Sequence, residues 1–368
     1  MIRSHKYSAL FSLLIAVMVS QPTSASALET SAGTMRIEKV ASGFSGAWSL
    51  GFLPDGSLLV TEKEGTLRKL GKSGQSVVTG LPEIHVEGQG GLLDVLVPRD
   101  FAQTRELFLT HSVRQGRGAG TALSRGVLSP DGSRLTDVRK IFEMAPGSSG
   151  GQHFGSRLVE GPRGHLFMTM GERGDRPSAQ DLSRHNGSVI RLNRDGSVPS
   201  DNPFVGVNGA QPEIWSYGHR NPQGAALDGS GQLWINEHGA RGGDEVNRVR
   251  KGANYGWPVI AYGRHYSGFK IGEGREKQGM EQPVHYWDPS IAPSGMTFYD
   301  GSVSAWRGDA FVGSLKFDYI ARLSGSPLRE VEQIKAPETG RVRDVRTGPD
   351  GALWFISENN GAIYRIVK

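Results

Sequence analysis

Residues Pro54–Glu62 read PDGSLLVTE, a tight turn that leads into a short apolar run and ends on a carboxylate. The same pattern returns as PRGHLFMTMGE at Pro162–Glu172, as LDGSGQLWINE at Leu227–Glu237 and as PDGALWFISE at Pro349–Glu358. Each copy predicts a hairpin turn followed by a buried strand, because turn residues precede a short continuous apolar segment. Four copies of one unit indicate an architecture built from repeats.

The spacing of the copies predicts the number of repeats. Their starts lie about 108, 65 and 122 residues apart, roughly two, one and two units of about 55 residues. We therefore expect an all-β, six-bladed β-propeller, with the SPDG sequence at Ser129–Gly132 as a turn in an intervening blade. The last run, GAIYRIVK at Gly361–Lys368, is expected to pair with an N-terminal strand at Met35–Val40 and close the ring. A β-sandwich is the competing architecture, but it does not account for so long a repeat.

The first 27 residues have the pattern of a secretory signal peptide. Two basic residues precede an apolar stretch at Ala9–Val19, and the small residues Ala25-Ser26-Ala27 form a cleavage site. The apolar stretch is too short for a stable membrane-spanning helix. We therefore expect a periplasmic or secreted protein without membrane insertion, in which residues 28–368 form one propeller domain.

Composition narrows the classes of partner and cofactor. The chain contains 52 glycines and no cysteine among its 368 residues, so disulfides and thiolate metal sites are excluded and tight turns are abundant. Its formal net charge of +5 falls to +3 when the leader is removed with its two basic residues. Such a mild and dispersed excess does not favour a nucleic-acid partner or a membrane surface.

Short motifs rich in glycine and polar residues follow one another along the chain. They are EGQGGLLDV at Glu87–Val95, GGQHFGSRL at Gly150–Leu158, GERG at Gly171–Gly174, GHRNPQG at Gly218–Gly224, EHGARGGDE at Glu237–Glu245, NYGWP at Asn254–Pro258, APSG at Ala292–Gly295, SLK at Ser314–Lys316 and RVRD at Arg341–Asp344. In this order they resemble the soluble aldose sugar dehydrogenases that use pyrroloquinoline quinone (PQQ), relatives of soluble glucose dehydrogenase. The resemblance covers about Ile37 to the C terminus. It implies oxidation of the C1 hydroxyl of aldoses to the lactone, an electron acceptor as partner, and a monomer or weak dimer.

His153 and Arg220 are the candidate catalytic residues. His153 lies in a glycine-flanked loop before a predicted strand, and a neutral imidazole is a suitable proton acceptor near neutral pH. An isolated histidine is more often a surface or core residue, but the resemblance implies that His153 is the catalytic base, with Glu172 as the next candidate. The resemblance also places Arg220 beside the reacting quinone oxygen, where it would stabilise developing charge.

Several basic and polar residues are candidate ligands of the cofactor. Arg341 and Arg343 lie two apart, so in a strand both side chains point to one face and could bind the carboxylates of PQQ; a solvated edge strand is the alternative. The resemblance adds Lys316 as a third cation, Gln89 and Asn221 as hydrogen-bonding groups, and His153 and Arg220 at the quinone. Tyr266 is expected either near the cofactor or as a core aromatic residue.

The stretch from Glu237 to Pro258 is the candidate metal region. Carboxylates and exposed carbonyls beside glycines suit a hard cation such as calcium. The resemblance assigns the carbonyls of Gly239 and Ala240 to a calcium that also contacts the quinone and acts as a Lewis acid. A second, structural calcium would use the Glu245 side chain and the Tyr255 carbonyl, although such groups can equally cap a turn.

Two other function classes compete with the dehydrogenase. A calcium-dependent lactonase or phosphotriesterase also uses a six-bladed propeller, but it needs Asp, Asn and Glu side chains around one catalytic calcium and has no use for Arg341, Arg343 and Lys316. A propeller that binds a sugar or protein without chemistry would leave His153 and Arg220 without a role. The sequence favours the PQQ-dependent oxidoreductase.

Overall fold

The computed structural model describes residues 25–368, which form six antiparallel sheets. An N-terminal hairpin, β1 (Ala25–Thr30) and β2 (Gly33–Ser42), comes first. Blade 1 contains β3 (Ala47–Phe52), β4 (Leu58–Glu62), β5 (Thr66–Gly71) and β6 (Gly74–Val78). Blade 2 contains β7 (Leu92–Leu96), β8 (Glu106–Gln115), β9 (Gly118–Leu128) and β10 (Leu135–Glu143). Blade 3 contains β11 (Leu158–Glu160), β12 (Leu166–Thr169), β13 (Ser188–Leu192) and β14 (Ile214–Tyr217).

The remaining sheets follow the same order. Blade 4 contains β15 (Pro222–Leu227), β16 (Leu233–Glu237), β17 (Asp244–Arg248) and β18 (His285–Trp287). Blade 5 contains β19 (Pro293–Phe298), β20 (Ala310–Ser314), β21 (Ile320–Ser324) and β22 (Arg329–Ile334). Blade 6 contains β23 (Val342–Thr347), β24 (Leu353–Ser357) and β25 (Ala362–Val367), with β2 and β1 as its outer strands. Helical segments are short: α1 (Phe101–Thr104) and 3-10 turns at Arg176–Gln180, Ser304–Trp306 and Pro337–Thr339.

The first strand of each blade contacts the first strand of the next, and β23 of blade 6 returns to β3 of blade 1. These six inner strands surround the axis, so the predicted six-bladed β-propeller is confirmed. The predicted closure is also confirmed, because β25 pairs with β2 in a register that sets Ile366 opposite Ile37. One sheet thus joins both ends of the described chain.

The repeated sequence pattern forms the turn between the first and second strands of blades 1, 3, 4 and 6, followed by the second strand. These second strands read as continuous apolar runs because neighbouring blades cover both of their faces, as in β24, where all five residues are buried. Blades 2 and 5 lack the pattern because α1 and a 3-10 turn replace the short first turn. The SPDG sequence forms the turn between β9 and β10 of blade 2, as expected.

Buried ion pairs connect the inner strands across the axis. The guanidinium of Arg157 lies 3.2 Å from Asp94 on β7 and 3.2 Å from Asp344 on β23. Arg346 pairs with the same two carboxylates, at 3.2 and 3.0 Å. Two guanidinium groups therefore balance two buried carboxylates, which offsets the desolvation of each charge.

The signal-peptide prediction lies mostly outside the described residues. Its last three residues, 25–27, form the first half of β1 and pair with residues 36–38 of β2. Export and the boundary at residue 28 therefore stay predictions. No helix among residues 25–368 is long and apolar enough to cross a membrane.

Candidate active site

A cavity of about 230 Å³ lies at the end of the ring where the inner strands begin. It is lined by Trp48, Lys63, Gly88, Gln89, Leu93, Phe154, Gly155, Asn221, Gln223, His238, Leu315, Arg341, Arg343 and Glu358. Most of these residues lie in or beside loops that precede inner strands or follow second strands of a blade. The antiparallel order brings both kinds of loop to the same end of the sheet, so residues distant in sequence meet there.

His153 lies in the loop before β11, and both its backbone N–H and its Nδ1 have a hydrogen-bond partner. Its Nδ1 lies 2.8 Å from Glu172 Oε2, and its backbone N–H donates to Gln89 Oε1 at 2.8 Å. Among the described residues, Nε2 makes no hydrogen bond. A carboxylate at Nδ1 favours the tautomer that carries its proton there, which leaves the Nε2 lone pair available to accept another. Burial lowers the pKa of His153, while the hydrogen bond to Glu172 opposes that shift.

Arg220 is buried in the loop before β15. Its backbone N–H donates to Glu237 at 2.6 Å, and one Nη donates to the carbonyl of His238 at 3.2 Å. Its Nε is buried and has no partner among the described residues. Burial lowers the pKa of Arg220, and its side chain hydrogen-bonds to a carbonyl and not to a carboxylate among residues 25–368. A guanidinium with an unused donor is suited to bind an anionic or partly anionic oxygen.

The predicted arginine pair lies at the cavity. Arg341 and Arg343 each donate to Glu358 Oε2, at 3.0 and 3.1 Å, so their side chains do share a face. Arg341 precedes β23 and its side chain is 39% exposed, whereas that of Arg343 is 13% exposed. Burial lowers the pKa of Arg343. The solvated edge strand is therefore wrong for Arg343, which lies on an inner strand at the axis.

Gln89 and Asn221 also line the cavity as expected. The amide oxygen of Asn221 accepts hydrogen bonds from the Gly155 backbone at 3.2 Å and from Gln223 at 3.1 Å. Asn221 therefore ties the His153 loop to β15.

Four predicted cofactor ligands do not line this cavity, namely His153, Arg220, Lys316 and Tyr266, although His153 directly precedes Phe154 and Arg220 directly precedes Asn221, which do line it. Lys316 is exposed, and its ammonium lies 4.8 Å from the centre of the Phe317 ring. Its neighbour Leu315 lines the cavity instead. Tyr266 is 71% exposed, so the core-aromatic interpretation is wrong. It lies near the tip of a hairpin whose base is the Arg264–Lys270 bridge, and that hairpin carries it outward. Their contact with a cofactor stays a prediction.

All four predicted metal ligands line a second, smaller cavity of about 20 Å³, namely Gly239, Ala240, Glu245 and Tyr255. Glu237 also lines it and lies directly opposite Glu245 in the β16–β17 register. Burial and the Glu237 charge raise the pKa of Glu245 to about 8. Two facing carboxylates beside carbonyl oxygens are the donor set that a hard cation prefers.

Asn247 supports this arrangement. Its amide nitrogen donates to Glu237 and to Glu245, each at 3.0 Å, and its buried Oδ1 has no partner among the described residues. Within residues 25–368, no group of three or more His, Asp or Glu side chains converges as metal ligands. A cation in this cavity would therefore need carbonyl oxygens in addition to the carboxylates.

Comparison with known proteins agrees with the geometry. The family model described as Glucose / Sorbosone dehydrogenase matches residues 44–365. The chain belongs to the glucose/sorbosone dehydrogenase family. The aldose sugar dehydrogenase YliI of Escherichia coli (strain K12) is 44% identical over 352 residues, which cover 93% of this chain and 95% of that protein. The resemblance inferred from the ordered motifs is confirmed, and the family places this chain among oxidoreductases that act on CH–OH groups.

Solved structures of this family share the fold. The soluble aldose sugar dehydrogenase of Escherichia coli in its apo-form matches with a TM-score of 0.87 at 43% identity, over 90% of this chain and 99% of that one. The PQQ-bound form of an aldose sugar dehydrogenase from Streptomyces coelicolor matches with a TM-score of 0.76 at 26% identity, over 94% of this chain and 99% of that one.

Some residues at this glucose/sorbosone dehydrogenase site were not predicted from the sequence. Trp48 and Phe154 supply aromatic walls, and His238 contributes an imidazole whose pKa burial lowers to about 3. Glu358 ends the last copy of the repeated pattern and accepts hydrogen bonds from both arginines. Its position directly after the second strand β24 is a usable signal, because His238 follows β16 in the same way.

Proposed function

We propose that this chain is an exported PQQ-dependent aldose sugar dehydrogenase that oxidises the C1 hydroxyl of aldoses to the lactone. The observation that carries the proposal is a histidine with a free Nε2, held by a buried carboxylate, and a buried arginine with an unpaired Nε, each next in sequence to a residue that lines a cavity with further cationic groups. The family relationship supports the reaction class.

The cavity fits a flat polyanion. Arg341 and Arg343 present guanidinium groups, while Gln89 and Asn221 present amides, so carboxylates and ring oxygens of PQQ would find donors on several sides. Trp48 and Phe154 offer apolar surface for a planar ring. When bound there, PQQ supplies an electron-accepting quinone that takes the hydride from C1 of the sugar.

His153 is the general base in this proposal. Its Nε2 takes the proton of the anomeric hydroxyl, and Glu172 stabilises the imidazolium that results, through the 2.8 Å contact at Nδ1. Arg220 offers its unpaired Nε and remaining donors to an oxygen that gains negative charge during the reaction. Burial of both side chains strengthens these interactions, since little water competes for the donors.

Calcium is the proposed metal. The carbonyls of Gly239 and Ala240 would hold one ion, which would act as a Lewis acid, and the Glu245 carboxylate with the Tyr255 carbonyl would hold a second. The facing carboxylates of Glu237 and Glu245 and the unpaired oxygen of Asn247 support a cation in this region.

A calcium-dependent hydrolase is not favoured. Such an enzyme needs several carboxylate and amide side chains around one metal, and residues 25–368 contain no group of three or more His, Asp or Glu side chains with that arrangement. The buried Arg343 at the cavity would also have no role in it.

The test is an assay of the protein purified without cofactor. PQQ and calcium are added separately and together, and dye reduction is measured with a panel of aldoses. Turnover is expected only when both are present, and the preferred aldose and its product identify the substrate class. A His153→Gln variant treated in the same way shows whether the signal comes from this site.

A further inference from the structure

Arg173, the neighbour of Glu172, is a buried cation that none of the assignments above uses. It is 2% exposed, and its side chain pairs with no carboxylate among the described residues. Instead its Nη atoms donate to the backbone carbonyls of Gly150, Gln152 and Ala119, the last at 3.1 Å. Its Nε is buried without a partner in the described part of the chain. Burial lowers the pKa of Arg173 to about 10, so it still carries its charge at neutral pH.

The contacts of Arg173 lie on both sides of His153. Gly150 and Gln152 precede the histidine, and the ring of Phe154, which follows it, has its centre 3.3 Å from the guanidinium carbon. Glu172 therefore binds the imidazole of His153. Arg173 binds the backbone that precedes His153 and the ring of Phe154, which follows it. This restraint matters because His153 has a φ of +55°, a conformation that a non-glycine residue adopts at a cost.

One carboxylate and two guanidinium groups act on the His153 imidazole. Glu172 contacts the imidazole directly, whereas Arg220 and Arg173 approach it from the loops before β15 and after β12, and both lack a carboxylate partner. A further carboxylate, Glu87, acts on Arg173, and the charges of Glu172 and Glu87 both raise the Arg173 pKa against the effect of burial. Burial is the main influence that favours the uncharged imidazole, and the charges of Arg220 and Arg173 add to it, against the hydrogen bond and charge of Glu172.

We propose that Arg173 is a positioning residue for His153: its guanidinium holds the loop that carries the base, and its positive charge disfavours the protonated imidazole. The proposal rests on the proposed function only in naming His153 as the base. The electrostatic relationship itself requires neither sugar nor quinone.

The experiment follows the His153 imidazole by NMR titration in the protein without quinone or metal, with His153→Gln to identify the resonance. Arg173→Lys retains the charge, and its His153 pKa is expected within ~0.2 unit of the parent value. Arg173→Gln retains a donor but loses the charge, and is expected to raise the pKa by ~0.5 unit or more, about a threefold loss of neutral base at acidic pH. In the reconstituted enzyme, the acidic limb of kcat/KM should move to higher pH by the same amount in Arg173→Gln alone.

Arg191→Lys is the matched control. Arg191 is also 2% exposed, lies 4.4 Å from the centre of the Trp215 ring, and contacts neither His153 nor Glu172. This variant should leave the His153 pKa unchanged even where it lowers the melting temperature.

A parent-like His153 pKa in Arg173→Gln would overturn the proposal, as would an equal rise in Arg173→Lys and Arg173→Gln. The parent protein provides a test that needs no variant, since a His153 pKa at or above the ordinary value near 6.5 would also overturn it. Failure of the parent to oxidise any aldose with PQQ and calcium would instead contradict the proposed function and leave the titration result standing.

Discussion

Glu172 Oε2 lies 2.8 Å from His153 Nδ1, and both side chains are almost fully buried. The pair determines which imidazole nitrogen can act as a base, since Nδ1 is occupied and Nε2 is free within the described structure. Because Glu172 and His153 lie on loops on either side of β11 and β12, the rigid hairpin of blade 3 sets their separation. The proposed chemistry depends on this geometry.

Replacement of His153 by Gln should cut turnover by roughly a hundredfold or more, the range expected when a positioned general base is lost. Quinone affinity and melting temperature should stay near the parent values, because Gln is polar and of similar size. Stopped-flow reduction of the bound quinone by excess aldose separates this step from electron transfer to the dye. Reduction at the parent rate would mean that the base lies elsewhere.

Glu172→Gln should move the acidic limb of the kcat/KM profile to lower pH. The acidic limb reports the pKa of His153 in the free enzyme. Burial lowers this pKa, whereas the hydrogen bond to Glu172 and the Glu172 charge raise it. Removing Glu172 removes the raising contributions, so the His153 pKa falls further and the base stays neutral to lower pH. The maximum rate should also fall, because the tautomer is no longer fixed. A shift of the limb to higher pH would contradict this account.

Arg343→Ala should weaken PQQ binding by ~2–4 kcal/mol, as expected when one partner of a buried charged hydrogen bond is removed. Arg341→Ala serves as a comparison. Its loss of PQQ affinity should be smaller, because the Arg341 side chain is 39% exposed whereas that of Arg343 is 13% exposed. Titration of the apo-protein with PQQ measures both affinities. Equal, parent-like affinities in the two variants would exclude this arginine pair as the binding site for the cofactor carboxylates.

Calcium should raise the melting temperature of the parent in a concentration-dependent way, because a ligand that binds only the folded state stabilises it. Glu245→Gln should lose much of this response, since it removes a carboxylate that lines the second cavity. Glu281→Gln is the control, because Glu281 forms a surface pair with Arg250 and does not line that cavity. An undiminished calcium response in Glu245→Gln would place the ion at another site.

The sequence was sufficient to predict the propeller. The repeat that begins at Pro54 is a local signal, because one turn and one strand lie within about ten residues, and four copies were enough to count six blades. The closure of β2 on β25 was predicted from the ring itself, which requires a partner for the last strand. The interruption by α1 in blade 2 was not predicted, because a four-residue helix leaves no periodic signal.

The site was predicted only in part. His153, Arg220 and Arg343 lie in ordered motifs, but the buried pairing of Arg157 with Asp94 and Asp344 joins residues that are 63 or more positions apart. The burial of Arg173 was not predicted, since nothing local in the sequence indicates that three carbonyls surround its side chain. For Tyr266 only the core-aromatic alternative is wrong, because the side chain is exposed.

The most direct test of the central claim is a single-turnover measurement on the apo-protein reconstituted with PQQ and calcium. Excess aldose is added without oxygen or dye, and the absorbance of the bound quinone and the lactone product are followed together. The account predicts one lactone for each reduced quinone, and no reaction when either PQQ or calcium is omitted. Lactone formation after exhaustive removal of quinone and calcium, or no reduction of a fully bound quinone by any aldose, would contradict it.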